Sequence, residues 1–223
     1  MKALVAQELC GPSGLVYTDV PDPVPAPGSV LVDVRAAGVC YPDLLLIGGQ
    51  YQLKLEPPFI PGTEVAGVVR SAPEGSGFAP GDRVYGMTML GGFAEQAAIP
   101  LVGALPTPPE LDDAQAVSLL VHYVTMYFAL KRRADLQPGE TVLVLGAGGG
   151  VGTAAIQVAK AMEARVVAVV HRETARDFVT SLGADVVLPM TEGWSKAVRE
   201  HTDGLGVDVV VDPVGGDPFD AAI

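Results

Sequence analysis

The sequence predicts an α/β chain in two parts. Residues 1–110 read as a β-rich domain, and residues 111–223 as a parallel sheet covered by helices. Three observations carry this. Fifteen of the 19 prolines lie before residue 111, and proline suits turns, edges and irregular β structure while it breaks helices. After residue 140, near-continuous Val and Leu runs alternate with helical segments, the mark of strands buried on both faces. The stretch 141–159 carries no charge and five glycines, and its apolar period changes midway from strand-like to helix-like. It reads as a strand, a turn and a helix, since a membrane span needs about 20 apolar residues of continuous helix.

In order along the first part, strands are expected at 3–7, 15–20, 30–36, 64–71, 82–85 and 93–99, separated by turn clusters such as 21–29 and 73–82. A short helix is expected at 42–47, with Pro42 in its first turn. Asp112 and Gln115 have capping-box spacing. They open a long helical segment that runs to about Arg133, where Lys131, Arg132 and Arg133 complement the helix dipole. Strands then fall at 142–145, 166–170, 186–188 and 207–211, and helices at roughly 150–162, 173–182 and 194–202. No internal repeat or low-complexity tract interrupts the pattern.

The chain has 223 residues, 14 basic and 26 acidic side chains and a formal net charge of −12. This excess of acid argues against nucleic acid and anionic membranes as partners, because both need clustered Lys and Arg. Two cysteines, Cys10 and Cys40, make neither a disulfide framework nor a four-cysteine zinc site. No signal peptide is legible after Met1, so a reduced, cytoplasmic setting is expected.

Between the first strand of the second part and its helix lie Gly146, Ala147, Gly148, Gly149, Gly150, Val151 and Gly152. Small residues at 147, 149 and 152 have the spacing of a dinucleotide-binding turn, with Ala147 in place of its first glycine. Such a turn brings backbone close to a pyrophosphate at a helix N-terminus. Its position between strand and helix, with a second strand beginning about 14 residues on, strengthens the reading. A glycine-rich turn with no ligand is the alternative. The second strand ends at Val170, where an NAD-binding unit places an acid for the ribose 2′-hydroxyl. Here His171 and Arg172 follow instead, and an arginine can pair with a 2′-phosphate. NADPH is therefore expected over NADH, unless Arg172 is a solvated residue opening the next helix.

With both parts read, the sequence resembles the medium-chain dehydrogenase/reductase superfamily in its zinc-independent quinone oxidoreductase branch. The resemblance rests on residues 38–45 (GVCYPDLL), 61–69 (PGTEVAGVV), 81–84 (GDRV), 91–95 (GGFAE), 125–127 (TMY), 139–160 (GETVLVLGAGGGVGTAAIQVAK) and 206–216 (GVDVVVDPVGG). It implies a GroES-like β domain over 1–110 and a Rossmann domain over 111–223, here with four of six strands. It also implies a C-terminal part missing from this chain, so the 223 residues are expected to be a piece of a longer protein, homodimeric at full length. The last strand would then be an exposed apolar edge.

Zinc-dependent members of the superfamily place ligands at the positions of Cys40, Thr63 and near Val121. Only the cysteine is present here, and a catalytic zinc needs about three protein ligands. No metal is expected. His122 is adjacent, but one helical residue turns a side chain about 100° away. Cys40 stands where the quinone branch usually carries Asn. It reads either as a partly buried thiol lining the cofactor site or as an alkylatable one. Met190 replaces a tyrosine that helps hold the cofactor phosphate in relatives. The resemblance places Tyr41, Asp43 and Tyr51 along the substrate cleft. Tyr41, Tyr51 and Thr63 are the candidate donors to the oxyanion that develops when a quinone or other conjugated carbonyl is reduced. Tyr51 reads alternatively as a surface aromatic, and Asp43 as a helix cap or ion-pair partner. Thr125 is implied beside the nicotinamide, or else bonds its own backbone. Asp212 ends the fourth strand, where ligands sit, and is expected to face the cofactor with Cys40, Ala147, Gly149, Gly150, Val151, Gly152, His171 and Arg172. Glu64 reads as structural. Enoyl or alkenal reduction, and cofactor binding without turnover, are the alternative functions.

Overall fold

A computed structural model describes residues 1–223. The chain divides into two compact units, Met1–Val121 and His122–Ile223.

The first unit is β-rich. Strands β1 (Lys2–Ala6) and β2 (Leu15–Asp19) form an antiparallel pair across a 3₁₀ turn at Gly11–Gly14. The main sheet holds β3 (Ser29–Gly38), β4 (Glu64–Ser71), β5 (Arg83–Met87), β6 (Gln96–Pro100) and β7 (Ala104–Pro106), in the order β6-β3-β4-β5-β7, antiparallel throughout. Helix α1 (Tyr41–Ile47) lies between β3 and β4 in the chain and carries Pro42 in its first turn. Val30, Val32, Val65, Val69, Val84 and Ile99 are almost wholly buried and form the core on one face. The other face is covered at Ala66 by Ala116 and Val117 of helix α2 (Asp113–Val117).

That packing moves the division of the chain from the expected 110/111 to 121/122. Helix α2 belongs to the β-rich unit because Arg83 holds it there, donating to Asp113 Oδ1 and to the Leu111 carbonyl, each at 2.8 Å. The Asp112–Gln115 capping box forms as expected. The long helix to Arg133 does not continue unbroken. Ser118 turns its hydroxyl back onto the Gln115 carbonyl at 2.8 Å, and α2 ends there. Helix resumes as a π-helical stretch at Leu120–Val124, the short α3 (Thr125–Tyr127) and a second π-helical stretch at Phe128–Arg133. Strand β7, three residues long and ending in Pro106, lies in a stretch that reads only as loop. The expected strand 93–99 splits: Phe93 and Ala94 bond to the β1 strand, and β6 begins at Gln96.

The second unit is a four-stranded parallel sheet with helices on both faces. Its elements are β8 (Thr141–Val144), α4 (Gly150–Ala161), β9 (Arg165–Val170), α5 (Arg176–Ser181), β10 (Val186–Pro189), α6 (Trp194–Glu200), β11 (Val209–Val211) and α7 (Asp217–Ala222). The order is β10-β9-β8-β11. Side chains alternate along each strand, so Val142, Val144, Val166 and Ala168 pack with Ile156 and Leu130 on one face. Leu143, Leu145, Val167 and Val169 pack with Trp194 and Val198 on the other. This explains why the strands read as continuous apolar runs. The chain builds outward from β8 through β9 to β10, then crosses to β11 on the opposite side of β8. Such a reversal opens a crevice at the carboxyl ends of β8 and β11. Strand β11 is shorter than expected because Asp208 caps the sheet instead, accepting the Thr141 N–H at 2.7 Å. No helix is long and apolar enough to cross a membrane.

Candidate functional site

In the second unit the turn after β8 is built from close backbone approaches. Gly146 has φ +58°, a left-handed conformation in which glycine is favoured. Ala147 is completely buried, and its N–H reaches the Val169 carbonyl at 3.2 Å. Gly149 caps α4 in extended conformation. A Cβ on Gly152 would lie 2.5 Å from the Gly146 carbonyl oxygen and 2.6 Å from Ala147 Cα. Helix α4 therefore seats directly on the turn. The spacing of the motif puts the tight turn at Ala147, in place of the first glycine. The residue that makes it is Gly146, one place earlier.

Thr153 N–H bonds back to the Gly149 carbonyl at 2.8 Å. The amides ahead of it have no partner inside the helix. They add to the positive end of a 12-residue helix, a favourable place for an anion. An open pocket of about 510 Å³ runs from this turn to the end of β9, with Gly146, Gly148 and Gly149 on one side and His171, Arg172 and Ala175 on the other. The Arg172 guanidinium is exposed and makes no hydrogen bond or ion pair with the protein. Arg176, one turn on, is committed: it pairs with Glu173 and donates to the Val187 carbonyl. Of the expected cofactor residues, Ala147, Gly149, Gly150 and Gly152 lie in the turn and first helical turn, and His171 and Arg172 at the pocket's far end. Val151 and Asp212 line a different pocket with Met126 and Arg133. The Asp212 carboxylate is turned onto its own loop, accepting the N–H of Val214 at 2.7 Å and of Gly215 at 3.0 Å. Thr125 is exposed in α3.

In the first unit, a buried polar cluster gathers at the N-terminus of α1. Asp43, 2% exposed, accepts the Cys40 N–H at 2.8 Å and the Thr63 hydroxyl at 2.7 Å. Between the two readings of Asp43, the geometry is that of a helix cap. The Cys40 thiol donates to Glu64 Oε1 at 3.1 Å, and Glu64 Oε2 accepts the Val121 N–H at 3.0 Å. Burial pushes the Cys40 thiol well above the ordinary thiol range, and the hydrogen bond to Glu64 with the charges of Glu64 and Asp43 pushes it further. A protonated thiol is a poor nucleophile. Iodoacetamide is thus expected to label the exposed Cys10 in the native protein and both cysteines after unfolding. Native labelling at Cys40 below about pH 9 would contradict this environment. Tyr41, 70% exposed, and the half-buried Tyr51 stand outside the cluster, with phenols that make no protein hydrogen bond. The cluster joins Cys40, Asp43, Thr63 and Glu64, and does not include the two tyrosines.

The zinc-binding dehydrogenase family matches residues 150–223, and the alcohol dehydrogenase GroES-like domain matches residues 26–109. The acryloyl-coenzyme A reductase of Metallosphaera sedula is 36% identical over 252 residues, covering 100% of this chain and 73% of its own length. Among solved structures, a probable oxidoreductase from Mycobacterium abscessus has 63% identity and a TM-score of 0.94, covering 100% of this chain and 71% of that one. The quinone oxidoreductase of Thermus thermophilus, solved also in complex with NADPH, has 37% identity and a TM-score of 0.86, covering 99% and 69%. The chain spans 53% of the length of the quinone oxidoreductase-like protein 2 homolog of Nematostella vectensis, to which it is 38% identical over 193 residues.

Proposed function

Because the chain belongs to the medium-chain dehydrogenase/reductase superfamily, in its quinone oxidoreductase branch, we propose that it carries the NADPH site and acceptor-binding residues of a zinc-independent reductase of quinones or similar conjugated carbonyls. The observation that carries the proposal is the uncommitted Arg172 guanidinium, set across one pocket from the turn at Gly146–Gly149.

The residues fit a dinucleotide. The amides at the start of α4 would hold its pyrophosphate, the close seat of Gly152 keeps that backbone near, and Arg172 would pair with the 2′-phosphate. The bound nicotinamide would supply a hydride. A conjugated acceptor spreads the incoming charge over its own π system, which leaves the protein to position it and to offer a hydrogen-bond donor to the oxyanion. Thr63 already donates to Asp43, so Tyr51 and Tyr41 are the proposed donors. Asp43 and Thr63 then act by holding the start of α1 in place. Thr125 is proposed beside the nicotinamide. Zinc independence rests on the donor set: Thr63 and Val121 supply no imidazole or thiolate, and the Cys40 sulfur keeps its proton toward Glu64. The full-length form is proposed to be a cytoplasmic homodimer acting on a small molecule, with no nucleic acid or membrane partner.

Titrating the protein with NADPH and NADH, followed by nicotinamide fluorescence, tests the reading. NADPH is expected to bind more tightly. One charge-assisted hydrogen bond is worth about 1.5–3 kcal/mol, or roughly 10- to 150-fold. Arg172→Ala should remove an advantage of that size and leave NADH binding unchanged. Equal affinity for the two cofactors would sink the assignment. Turnover should be faster with a quinone than with an enoyl thioester and insensitive to a zinc chelator. The similarity to an acryloyl-coenzyme A reductase across the whole chain supports the second reading, enoyl reduction, which the opposite rate order would favour.

A further inference from the structure

Gly150 has no backbone reason to be glycine. It is absent from the residues of positive φ and begins α4 in ordinary helical geometry. The reason is a side chain. A Cβ on Gly150 would lie 2.7 Å from both Cε1 and Nε2 of His122, and 3.1 Å from its Cδ2. The imidazole occupies the space a side chain would fill and lays its Nε2–Cε1 edge against the first residue of the helix. The next residue holds that segment in place: the Tyr123 hydroxyl donates to Gln157 Oε1 of α4 at 3.0 Å. The half-buried His122 ring itself makes no hydrogen bond with the protein. A polar ring thus lies against the first residue of α4 with its nitrogens bonded to no protein atom and open to an incoming ligand.

We propose that His122 is a further nucleotide-binding residue, whose ring N–H donates to the pyrophosphate held at the start of α4. The inference rests on the nucleotide reading of the turn and adds to it a donor outside the glycine motif. It also accounts for the third consecutive glycine, which the spacing of a dinucleotide turn does not require. A hydrogen bond to a charged phosphate that is made only in the complex strengthens binding about tenfold or more.

The test compares the unaltered chain with His122→Gln, which keeps a donor, and His122→Phe, which fills the space without one. Three probes are used: NADPH, inorganic pyrophosphate, and adenosine 2′-monophosphate, which has the 2′-phosphate and no pyrophosphate. His122→Phe is expected to weaken NADPH and pyrophosphate about tenfold and to leave adenosine 2′-monophosphate unchanged. His122→Gln should retain most of the affinity. Gly150→Ala, which drives the ring away, should resemble His122→Phe. Wild-type affinity for NADPH in His122→Phe would overturn the proposal. So would an equal loss for all three probes, because the ring would then act through the fold. Failure of the unaltered chain to bind NADPH would overturn the nucleotide reading itself, and this assignment with it.

Discussion

Gly152→Val is expected to abolish nucleotide binding and to lower the melting temperature of the second unit by about 10 °C or more. The added atoms meet backbone, not flexible side chains: the Gly146 carbonyl oxygen at 2.5 Å and Ala147 Cα at 2.6 Å from the first carbon alone. Backbone on both sides cannot rotate away, so helix α4 must lift off the turn. Overpacking a well-filled site costs about 1–3 kcal/mol, and lifting α4 also loosens Ala154, Ala155, Ile156 and Ala159, which are wholly buried against the sheet. For a unit of this size, 1 kcal/mol moves the melting point by about 4–8 °C. The control is Gly149→Ala, in the same turn. Its Cβ would meet only the Gly146 oxygen, at 3.4 Å, and its backbone is in a region any residue adopts. That variant should melt as the unaltered protein does. A Gly152→Val protein with normal melting and normal NADPH affinity would show that the helix does not seat on the turn as described.

The second unit was the most legible part of the sequence, for a physical reason. Strands β8 and β9 are buried on both faces, and α4 follows β8 across a turn of small residues, so local composition carries the whole β8–α4–β9 arrangement. The place of Arg172 was legible too, since it follows directly from the end of β9. What the sequence hid were contacts between distant positions. Nothing near Gly150 announces that its missing side chain makes room for His122, 28 positions away in the chain. The third glycine in a row was the one available signal. Cys40 could be read as reactive or inert because its neighbour Glu64 approaches from strand β4, 24 positions on. The Asp43 carboxylate likewise has a second donor, the Thr63 hydroxyl, that lies outside helix α1. The helix expected at 112–133 reads as continuous by periodicity. Its interruption depends on a serine hydroxyl that finds a nearby carbonyl, and on α2 being claimed by the β-rich sheet through Arg83.

Glu64→Leu is expected to destabilise the first unit by about 2–4 kcal/mol, judged from the cost of taking an acceptor away from buried donors. Two effects oppose each other. A buried carboxylate carries a desolvation penalty, and a leucine of similar size removes it. Against this, Glu64 accepts from two donors at once, the Val121 N–H and the Cys40 thiol. Its carboxylate fills space left by Gly38, where a Cβ would sit 2.3 Å from Oε1. Removing the acceptor of a buried donor costs about 1–3 kcal/mol by itself, and the leucine branch would press toward Gly38 as well. The loss of the acceptor is the larger effect, so chemical denaturation should show a lower midpoint with an unchanged slope. Glu64→Gln separates the two effects, because it keeps one acceptor oxygen and the same shape. It should cost less than the leucine. In both variants the Cys40 thiol loses the charge of Glu64, and in the leucine variant the hydrogen bond as well, and both help hold its proton. Its alkylation in the native state should then begin at lower pH than in the unaltered protein, though still late because burial remains. A Glu64→Leu protein of full stability, with Cys40 as unreactive as before, would mean that burial alone governs the thiol and that Glu64 ties nothing together.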